Sequence, residues 1–390
     1  MSLDLYLSQP LSVGPFEEFL GDMAAVGVVP VTAGGVAYGL LRARTNARWW
    51  LLPTAQGRAS CASMAMYQPA SASARLARLW IRTALRFGLT AGWASGQIRF
   101  DRLPRLPGGV LPALATCSYF TGTDGPHRKT AIQLMDAHGG ILGYAKLSRR
   151  ASVRPYLSQE ARMLDRMATL RLTTAEVPKL LAFADPEGEE PSILVTDSRK
   201  VAGVASPMCV ASEHLRFLAE MVRRTGNTGA ERAYRELQSI GSDPRLPDDW
   251  KRRFGRGLER LKPVVPIMPV ALAHGDFTPW NSFILRDRLY VFDWEYAAED
   301  RPVGYDLVHY MLAARGAENP GLILDPLVDQ VARALLQGDR ATAQASVLMS
   351  LLLHAAFYLH RAMENGADAC SWADAPARAR LIDALLDARG

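Results

Sequence analysis

The chain has 390 residues, of which 49% are hydrophobic and 22% charged, and its formal net charge is +6 at pH 7. This composition is typical of a globular protein with two or three domains and excludes a largely disordered chain. The four cysteines are widely spaced without a CxxC pair, which excludes a typical zinc site or disulfide framework. The first residues contain no basic stretch followed by an apolar core, so we expect no signal peptide and a cytoplasmic location.

The whole formal charge comes from residues 1–109. This segment contains eleven arginines, no lysine and five acidic residues, which leaves the rest of the chain close to neutral. Short β-prone stretches at 35–41, 49–52 and 62–67 precede one helix that Ser73 can cap. We therefore predict an added N-terminal α/β region over 1–109, although it contains no motif that indicates a role.

The predicted helix after Ser73 carries an arginine stripe. The stripe arises from spacings of three and four residues and consists of Arg75, Arg78, Arg82 and Arg86. The predicted buried face consists of Leu76, Leu79, Thr83 and Ala84. Two interpretations of the stripe stay open: a solvated helix face, or a weak contact surface for an anionic lipid, a nucleotide or a polyanionic glycan precursor. Trp49, Trp50 and Trp80 are expected in core or interdomain packing, and no nucleic-acid partner is expected.

Residues 110–200 follow a linker rich in proline and glycine. Strands predicted at 114–121, 129–135 and 141–147 form a three-stranded meander. The first turn contains Gly122 and Gly125, and glycines there would let backbone N–H groups approach nucleotide phosphates. An ordinary hairpin turn explains the same two glycines equally well.

Lys146 is a charged residue within the third of these predicted strands. Glu160 follows fourteen residues later, in a helix predicted at 157–170. A strand lysine paired with a helix glutamate binds the α- and β-phosphates in protein kinases. The alternative is an edge-strand lysine and a surface glutamate. Two more strands are predicted at 178–183 and 192–196.

Helices dominate residues 201–390. They are predicted at 212–224, 230–240, 248–261, 305–314, 323–336, 340–365 and 374–389. The apolar stretch at 347–359 is short and contains His354, so we predict a core helix and not a membrane span.

The most informative segment is ALAHGDFTPWNSFILRDRLYVFD, residues 271–293. An apolar run predicts a buried strand that ends at His274, Gly275 and Asp276, and Asn281 follows five residues later. A hairpin of strands at 282–285 and 289–292 would bring Asp293 beside Asn281 and Asp276. Hard oxygen ligands suit Mg²⁺, and a carboxylate that does not bind the metal can accept a proton from a hydroxyl nucleophile. Single turn residues would mean little, but the ordered set indicates a phosphoryl-transfer site.

HGDFTPWN followed by VFDWEYA resembles the catalytic segment of the aminoglycoside phosphotransferase and choline kinase-like family, which has a protein-kinase-like fold. The resemblance implies an α+β bilobal fold, with a small antiparallel β lobe at 110–200 and a larger, mostly helical lobe at 201–390. It implies that Asp276 is the catalytic base and that Asn281 and Asp293 bind Mg²⁺. FDWEYA is similar to the choline kinase variant, which makes Glu295 a candidate for a further metal or substrate contact. Asp306 is expected to brace the catalytic loop from a helix start.

These features predict transfer of the γ-phosphoryl group of ATP to a hydroxyl of a small molecule, with Lys146, Glu160, Gly122 and Gly125 at the nucleotide. Asp293 is followed by Trp294 and not by a DFG-to-APE segment, which disfavours a protein substrate. The alternative is a catalytically silent kinase-like protein that binds nucleotide and contacts a partner through its N-terminal region. The intact motif residues disfavour that alternative.

The acceptor stays open among sugars, aminoglycosides and amino alcohols. Aromatic side chains that could line a pocket for a choline-like cation are Trp280, Trp294 and Tyr296. Carboxylates that could bind an amine are Glu295, Glu299 and Asp300. Both sets would equally suit sugar hydroxyls.

Overall fold

The structure is a computed structural model that describes residues 14–43, 48–55, 57–67, 72–109, 111–188, 190–201, 207–315, 320–364 and 372–388. Its chain forms two compact units. The sheet unit comprises Met1–Ala168 and Pro178–Val204, and the helical unit comprises Thr169–Val177 and Ala205–Gly390.

The first half of the chain contains nine strands and four α-helices within the described residues. In chain order these are α1 (Gly14–Ala25), β1 (Val36–Arg42), β2 (Trp49–Pro53), α2 (Arg58–Ala62), α3 (Ala72–Arg86), β3 (Gln97–Phe100), β4 (Thr116–Phe120), β5 (Thr130–Met135), β6 (Ile141–Ser148), α4 (Arg154–Leu170), β7 (Ala175–Glu176), β8 (Leu180–Ala184) and β9 (Ser192–Asp197).

The second half is mainly helical. Its elements are α5 (Ser212–Thr225), β10 (Asn227–Thr228), α6 (Glu231–Gly241), α7 (Asp248–Leu261), β11 (Pro269–Ala273), β12 (Ser282–Leu285), β13 (Arg288–Val291), β14 (Ala298–Pro302), α8 (Tyr305–Arg315), α9 (Pro320–Leu335), α10 (Arg340–Glu364) and α11 (Ala375–Asp387). The seven helices predicted for residues 201–390 are therefore confirmed within the described residues, with ends that differ by a few residues. The predicted ends at 365 and 389 lie outside the described residues.

The sheet unit is built on one eight-stranded antiparallel sheet with the order β3-β1-β2-β4-β5-β6-β9-β8. Helix α1 packs Phe16, Phe19 and Met23 onto one face, where the rings of Tyr38 and Tyr119 meet 5.2 Å apart. Successive side chains of a strand point to opposite faces of a pleated sheet. The strand residues that alternate with Tyr38 and Tyr119 therefore point to the face opposite α1. That face is covered by α3 and a 3₁₀ turn at Ser63–Met66.

The predicted meander of β4, β5 and β6 is present, but residues 1–109 extend it. Trp50 pairs with Phe120, and Leu51 with Tyr119, so β2 joins the edge of β4. An open edge would leave a row of backbone N–H and C=O groups unpaired, which explains why the extra strands add there. The predicted boundary at residue 109 therefore does not separate compact units: residues 1–109 and most of 110–200 share one sheet and one core.

One buried and one partly exposed ion pair also tie α1 to the rest of the sheet unit. Asp22 is almost fully buried and accepts hydrogen bonds from Nη1 of Arg128 at 3.0 Å and from Oγ1 of Thr130 at 2.8 Å. Glu18 pairs with Nη2 of Arg150 at 2.6 Å. Two of the five acidic residues of the N-terminal region are thus paired with arginines of the sheet unit.

The local predictions for residues 1–109 are correct in part. The prediction of a strand at 62–67 is wrong, because this stretch forms the end of α2 and the 3₁₀ turn. Its alanine and methionine residues favour helix over strand. Helix α3 is confirmed, but its buried side chains are Ile81, Ala84 and Leu85, so of the predicted buried face only Ala84 is correct. Trp49 and Trp50 are buried as predicted, and Trp80 is half exposed.

The helical unit contains two small sheets, β10-β11-β14 and β12-β13-β7. Helix α10 lies in the core of the helical unit and extends beyond the apolar stretch predicted at 347–359. Within the described residues α10 has the length and apolar content of a membrane span, yet most of it is buried by the rest of the structure. The predicted α+β class, with an antiparallel β part and a larger helical part, is confirmed.

Candidate active site

The loop that follows β11 is held in place by Asp306. This residue lies in the first turn of α8, where its carboxylate accepts hydrogen bonds from the backbone N–H of His274 at 2.7 Å and of Gly275 at 3.0 Å. Burial raises the pKa of Asp306, and the two N–H donors oppose that rise. Gly275 has φ +86°, and a Cβ there would lie 2.0 Å from the carbonyl oxygen of Tyr296, so only glycine fits. The predicted bracing role of Asp306 is confirmed.

His274 closes the loop from the inside. Its ring is fully buried, with Nε2 donating to the carbonyl oxygen of Phe292 at 2.9 Å and Nδ1 accepting from the N–H of Asp276 at 3.2 Å. These two contacts assign the ring proton to Nε2. The ring also packs against Trp294 with centroids 4.6 Å apart. His274 thus links the start of the loop to the strand end that precedes Asp293.

Both carboxylate oxygens of Asp276 have partners on this loop and on α8. Nδ2 of Asn281 donates to Oδ2 at 2.7 Å and to the backbone oxygen of Asp276 at 3.0 Å. Nε2 of His309 lies 3.2 Å from Oδ1. The carboxylate is partly exposed, with 27% of its side-chain surface accessible. A fixed, partly exposed carboxylate is suited to accept a hydrogen bond from a hydroxyl substrate.

The predicted hairpin forms and sets the position of Asp293. Strands β12 and β13 pair antiparallel and are joined by a two-residue turn at Arg286 and Asp287, both of which have positive φ. The N–H of Phe292 donates to the carbonyl oxygen of Asn281 at 3.1 Å, so Asp293 follows directly after the residue paired with Asn281. Asp293 itself has φ 73°, a left-handed conformation that is uncommon for residues with a Cβ but that aspartate adopts more readily than most.

The donor set of this loop fits a hard cation. Asn281 uses its amide nitrogen on Asp276, which leaves the carboxamide oxygen as the atom that could bind a metal. Asp293 supplies a carboxylate. Oxygen donors of this kind match Mg²⁺ better than a soft transition metal.

The predicted pairing of Lys146 with Glu160 is confirmed within the sheet unit. Nζ of Lys146 lies 2.7 Å from Oε1 and 2.6 Å from Oε2 of Glu160, which is almost fully buried on α4. Ala145 and Leu147 point into the core on the α1 side, so Lys146 projects from the opposite face of the sheet. The interpretation as an edge-strand lysine with a surface glutamate is therefore wrong, since β6 is a central strand.

The connection between β4 and β5 contains both predicted glycines at positive φ. Gly122 has φ +85°, and a Cβ there would lie 2.3 Å from the carbonyl oxygen of Lys129. Gly125 has φ +129°, and its carbonyl oxygen accepts a hydrogen bond from Arg150. The turn is thus anchored to the segment before α4, and its role at nucleotide phosphates stays a prediction.

The three aromatic residues predicted to line an acceptor pocket differ in burial and in their contacts. Trp294 is fully buried, with Nε1 donating to the carbonyl oxygen of Val291 at 3.1 Å, so its predicted place in a pocket is wrong. Nη1 of Arg361 donates to the hydroxyl oxygen of Tyr296 at 3.1 Å, and the guanidinium lies 5.9 Å from the ring centroid. Trp280 is partly exposed.

The sequence matches a known family over the region that contains this geometry. The profile described as the phosphotransferase enzyme family (APH) matches residues 144–346, just over half of the chain. The chain belongs to the phosphotransferase enzyme family. The matched part of this phosphotransferase includes Lys146, Glu160 and the whole loop from β11 to Asp293, whereas Gly122, Gly125 and residues 1–109 lie outside it. Comparison with curated proteins gives no significant match.

Solved structures similar to this phosphotransferase include three aminoglycoside phosphotransferase complexes. A thermostable APH(4)-Ia mutant with ADP and hygromycin B is 12% identical, with a TM-score of 0.45, covering 68% of this chain and 91% of its own. APH(2")-IIia with GDP and kanamycin is 16% identical, with a TM-score of 0.46 and coverages of 70% and 92%. Wild-type aminoglycoside 2'-phosphotransferase-IIIa with GDP is 15% identical, with a TM-score of 0.47 and coverages of 70% and 93%.

The sequence did not single out His309 or His274 as contributors to the site. His309 lies three residues after Asp306 on α8, and residues three apart share a helix face. That spacing was the available signal, because Asp306 was already predicted to face the loop. His274 is part of the HGD motif, but nothing in its spacing shows that its ring joins two strand ends.

Proposed function

We propose that this phosphotransferase moves the γ-phosphoryl group of a nucleoside triphosphate, ATP in the first instance, to a hydroxyl group of a small molecule with the help of Mg²⁺. The observation that carries the proposal is the loop after β11, in which Asp276 is fixed by Asn281 and His309 while Asp306 holds the backbone. Family membership supports the reaction class.

Each residue has a defined task in this proposal. Asp276 accepts a hydrogen bond from the acceptor hydroxyl and orients its oxygen towards the phosphorus. The hydroxyl proton need only leave late in a loose transition state, so an ordinary carboxylate is basic enough. Lys146, held by Glu160, binds phosphate oxygens. Asn281 and Asp293 hold Mg²⁺, which when bound neutralises charge on the phosphates.

The surroundings of Tyr296 support an uncharged acceptor, such as a sugar or polyol, over a choline-like cation. A quaternary ammonium ligand needs accessible aromatic faces. Trp294 is fully buried, and the Tyr296 ring already carries the Arg361 guanidinium. A second cation beside Arg361 would be repelled. Aminoglycosides, which the compared enzymes bind, remain in the test because the exposed Glu299 could contact an amine.

The test is a screen of nucleotide consumption by the full chain. ATP and GTP are each offered with sugars, polyols, aminoglycosides, amino alcohols and nucleosides, with Mg²⁺ and with a chelator. The proposal expects acceptor-dependent turnover that the chelator abolishes, with sugars or polyols as the best acceptors. Tight nucleotide binding without turnover for any acceptor would favour the silent binding protein, and metal-independent turnover would contradict the role of Asn281 and Asp293.

A further inference from the structure

Helix α3 presents large apolar side chains to solvent. Leu76 is 70% exposed, Leu79 61% and Trp80 49%, and two more exposed apolar residues, Phe87 and Leu89, follow the helix end. Scattered exposed apolar residues are common on protein surfaces, but a contiguous set marks an interaction site. These five residues lie within one short segment of the sheet unit.

The apolar side chains lie on the side of α3 that points away from the core. The helix is anchored by Ile81, Ala84 and Leu85, which pack with Trp50 and Trp93. With 3.6 residues per turn, Leu76, Leu79 and Thr83 fall on the face opposite to these anchors. The apolar stripe therefore lies on the face of α3 that does not pack on the core of the sheet unit.

The arginine stripe runs alongside the apolar stripe. Helix α3 contains no acidic residue. Within the described residues, no carboxylate forms an ion pair with any of its four arginines, which are Arg75, Arg78, Arg82 and Arg86. Partial burial and the charge of Arg82 lower the pKa of Arg78. Burial and the charge of Arg78 lower the pKa of Lys200 to about 8. Among the described residues, the positive charge of these arginines is therefore not balanced by an acidic partner.

We propose that α3 is a docking surface for an anionic lipid bilayer. Its apolar stripe enters the boundary between headgroups and acyl chains, while its arginines contact lipid phosphates, as in interfacial amphipathic helices. The two stripes run side by side along a helix about 22 Å long. This inference goes beyond phosphoryl transfer and does not depend on it.

The pairing of the two stripes selects a bilayer over the other polyanions considered for this surface. A nucleotide or a polyanionic glycan would need the arginines but would leave Leu76 and Leu79 in water. A bilayer surface accommodates both stripes at once, because headgroup phosphates and apolar acyl chains lie a few ångströms apart. Charge and apolar area therefore point to the same partner.

The test is flotation of the full chain with phosphatidylcholine vesicles that contain or lack phosphatidylglycerol. We expect binding to the anionic vesicles alone, weakened by high salt. A charge variant, Arg75→Gln with Arg82→Gln and Arg86→Gln, should bind the anionic vesicles about tenfold or more weakly. An apolar variant, Leu76→Gln with Leu79→Gln, should bind several-fold more weakly and should lose the salt-resistant part of the binding.

Matched controls alter similar side chains far along the chain. Ile267→Gln with Leu322→Gln removes apolar residues that are equally exposed, at 72% and 68%, and Arg333→Gln removes an exposed arginine. These variants should float like the parent protein, and all variants should unfold at similar temperatures.

Three outcomes would overturn the proposal. The first is a parent protein that does not float with anionic vesicles. The second is an apolar variant that binds as well as the parent while binding to both vesicles and heparin depends on the arginines, since this would indicate a purely electrostatic polyanion surface. The third is self-association that the apolar variant abolishes without any vesicle binding, since this would identify an interface between copies of the chain.

Discussion

His309 places its Nε2 atom 3.2 Å from Oδ1 of Asp276. Because Asn281 donates to the other carboxylate oxygen at 2.7 Å, the carboxylate is held from two sides. His309 is almost fully buried, so its contact with Asp276 is not exchanged for water. The expected consequence is a fixed direction for the lone pairs that receive the acceptor hydroxyl.

Replacing His309 tests this positioning role. His309→Phe removes the N–H donor and should lower kcat by about 10–100-fold, with little change in nucleotide affinity. His309→Gln keeps a donor and should recover part of the lost rate. The measurement is steady-state kinetics beside a direct nucleotide-binding assay. An unchanged kcat in folded His309→Phe would show that Asn281 alone positions the carboxylate.

The bracing by Asp306 predicts a combined effect on stability and rate. Asp306→Ala leaves the N–H groups of His274 and Gly275 without their acceptor and should cost about 1–3 kcal/mol of unfolding free energy. Asp306→Asn keeps one acceptor oxygen and should lie between the parent and Asp306→Ala. Chemical denaturation and kcat are measured on the same samples. If Asp306→Ala unfolds like the parent, the loop is held mainly by His274.

Local sequence patterns predicted much of the fold, because the residues that form each pattern lie close together in the chain. The hairpin of β12 and β13 was predicted from two apolar runs around a polar turn, and the pairing of Lys146 with Glu160 from one charge in each of two elements. Helix α1 was not predicted, although Phe16, Phe19, Leu20 and Met23 have helical spacing. Its two glycines masked that pattern.

The rest depends on tertiary contacts that no local pattern carries. Apolar residues occur on more than one face of α3, so the sequence could not show that Ile81 and Leu85 are the buried anchors. The joining of β2 to β4 links strands separated by more than sixty residues. Likewise, the burial of Trp294 behind His274 depends on how two strand ends meet. The structure also shows that residues 1–109 are not an independent compact unit.

The integration of α1 predicts a large effect of one substitution. Asp22→Asn removes the carboxylate that Arg128 and Arg149 contact at 3.0 and 3.2 Å. Because Arg128 is almost fully buried, the loss should cost on the order of 3 kcal/mol of stability. Glu17→Gln on the exposed side of the same helix is the control and should be near neutral. Equal stabilities for both variants would mean that α1 contributes little to the unit.

Buried histidines predict acid sensitivity. Burial lowers the pKa of His214 from 6.5 to about 4, and burial together with nearby charges lowers the pKa of His354 well below 6.5. The unfolded chain therefore binds more protons than the folded protein in this range, so stability should fall as the pH drops from about 6.5 towards 4. The slope is at most about 1.4 kcal/mol per pH unit for each histidine.

His214→Gln separates this titration from other acid effects. Nδ1 of His214 accepts the N–H of Ala211 at 2.9 Å, and glutamine offers an oxygen at the same position of the helix start. The variant should show a shallower decline of melting temperature between pH 6.5 and 4. A decline identical to that of the parent would assign the acid sensitivity to other groups.

Asp276 and Asp293 have different tasks in the proposed reaction. Asp293→Ala should abolish turnover and weaken Mg²⁺-dependent nucleotide binding together, because Asp293 is assigned to the metal. Asp276→Asn keeps the shape of the side chain and its contact with Asn281 but loses the proton acceptor.

The most direct test measures phosphorylated product and nucleotide affinity for Asp276→Asn, using the best acceptor from the screen. We expect a loss of about 10²–10⁴-fold in kcat, with nucleotide affinity close to that of the parent in the presence of Mg²⁺. A kcat near the parent value, or a loss of nucleotide affinity as large as that of Asp293→Ala, would contradict this expectation.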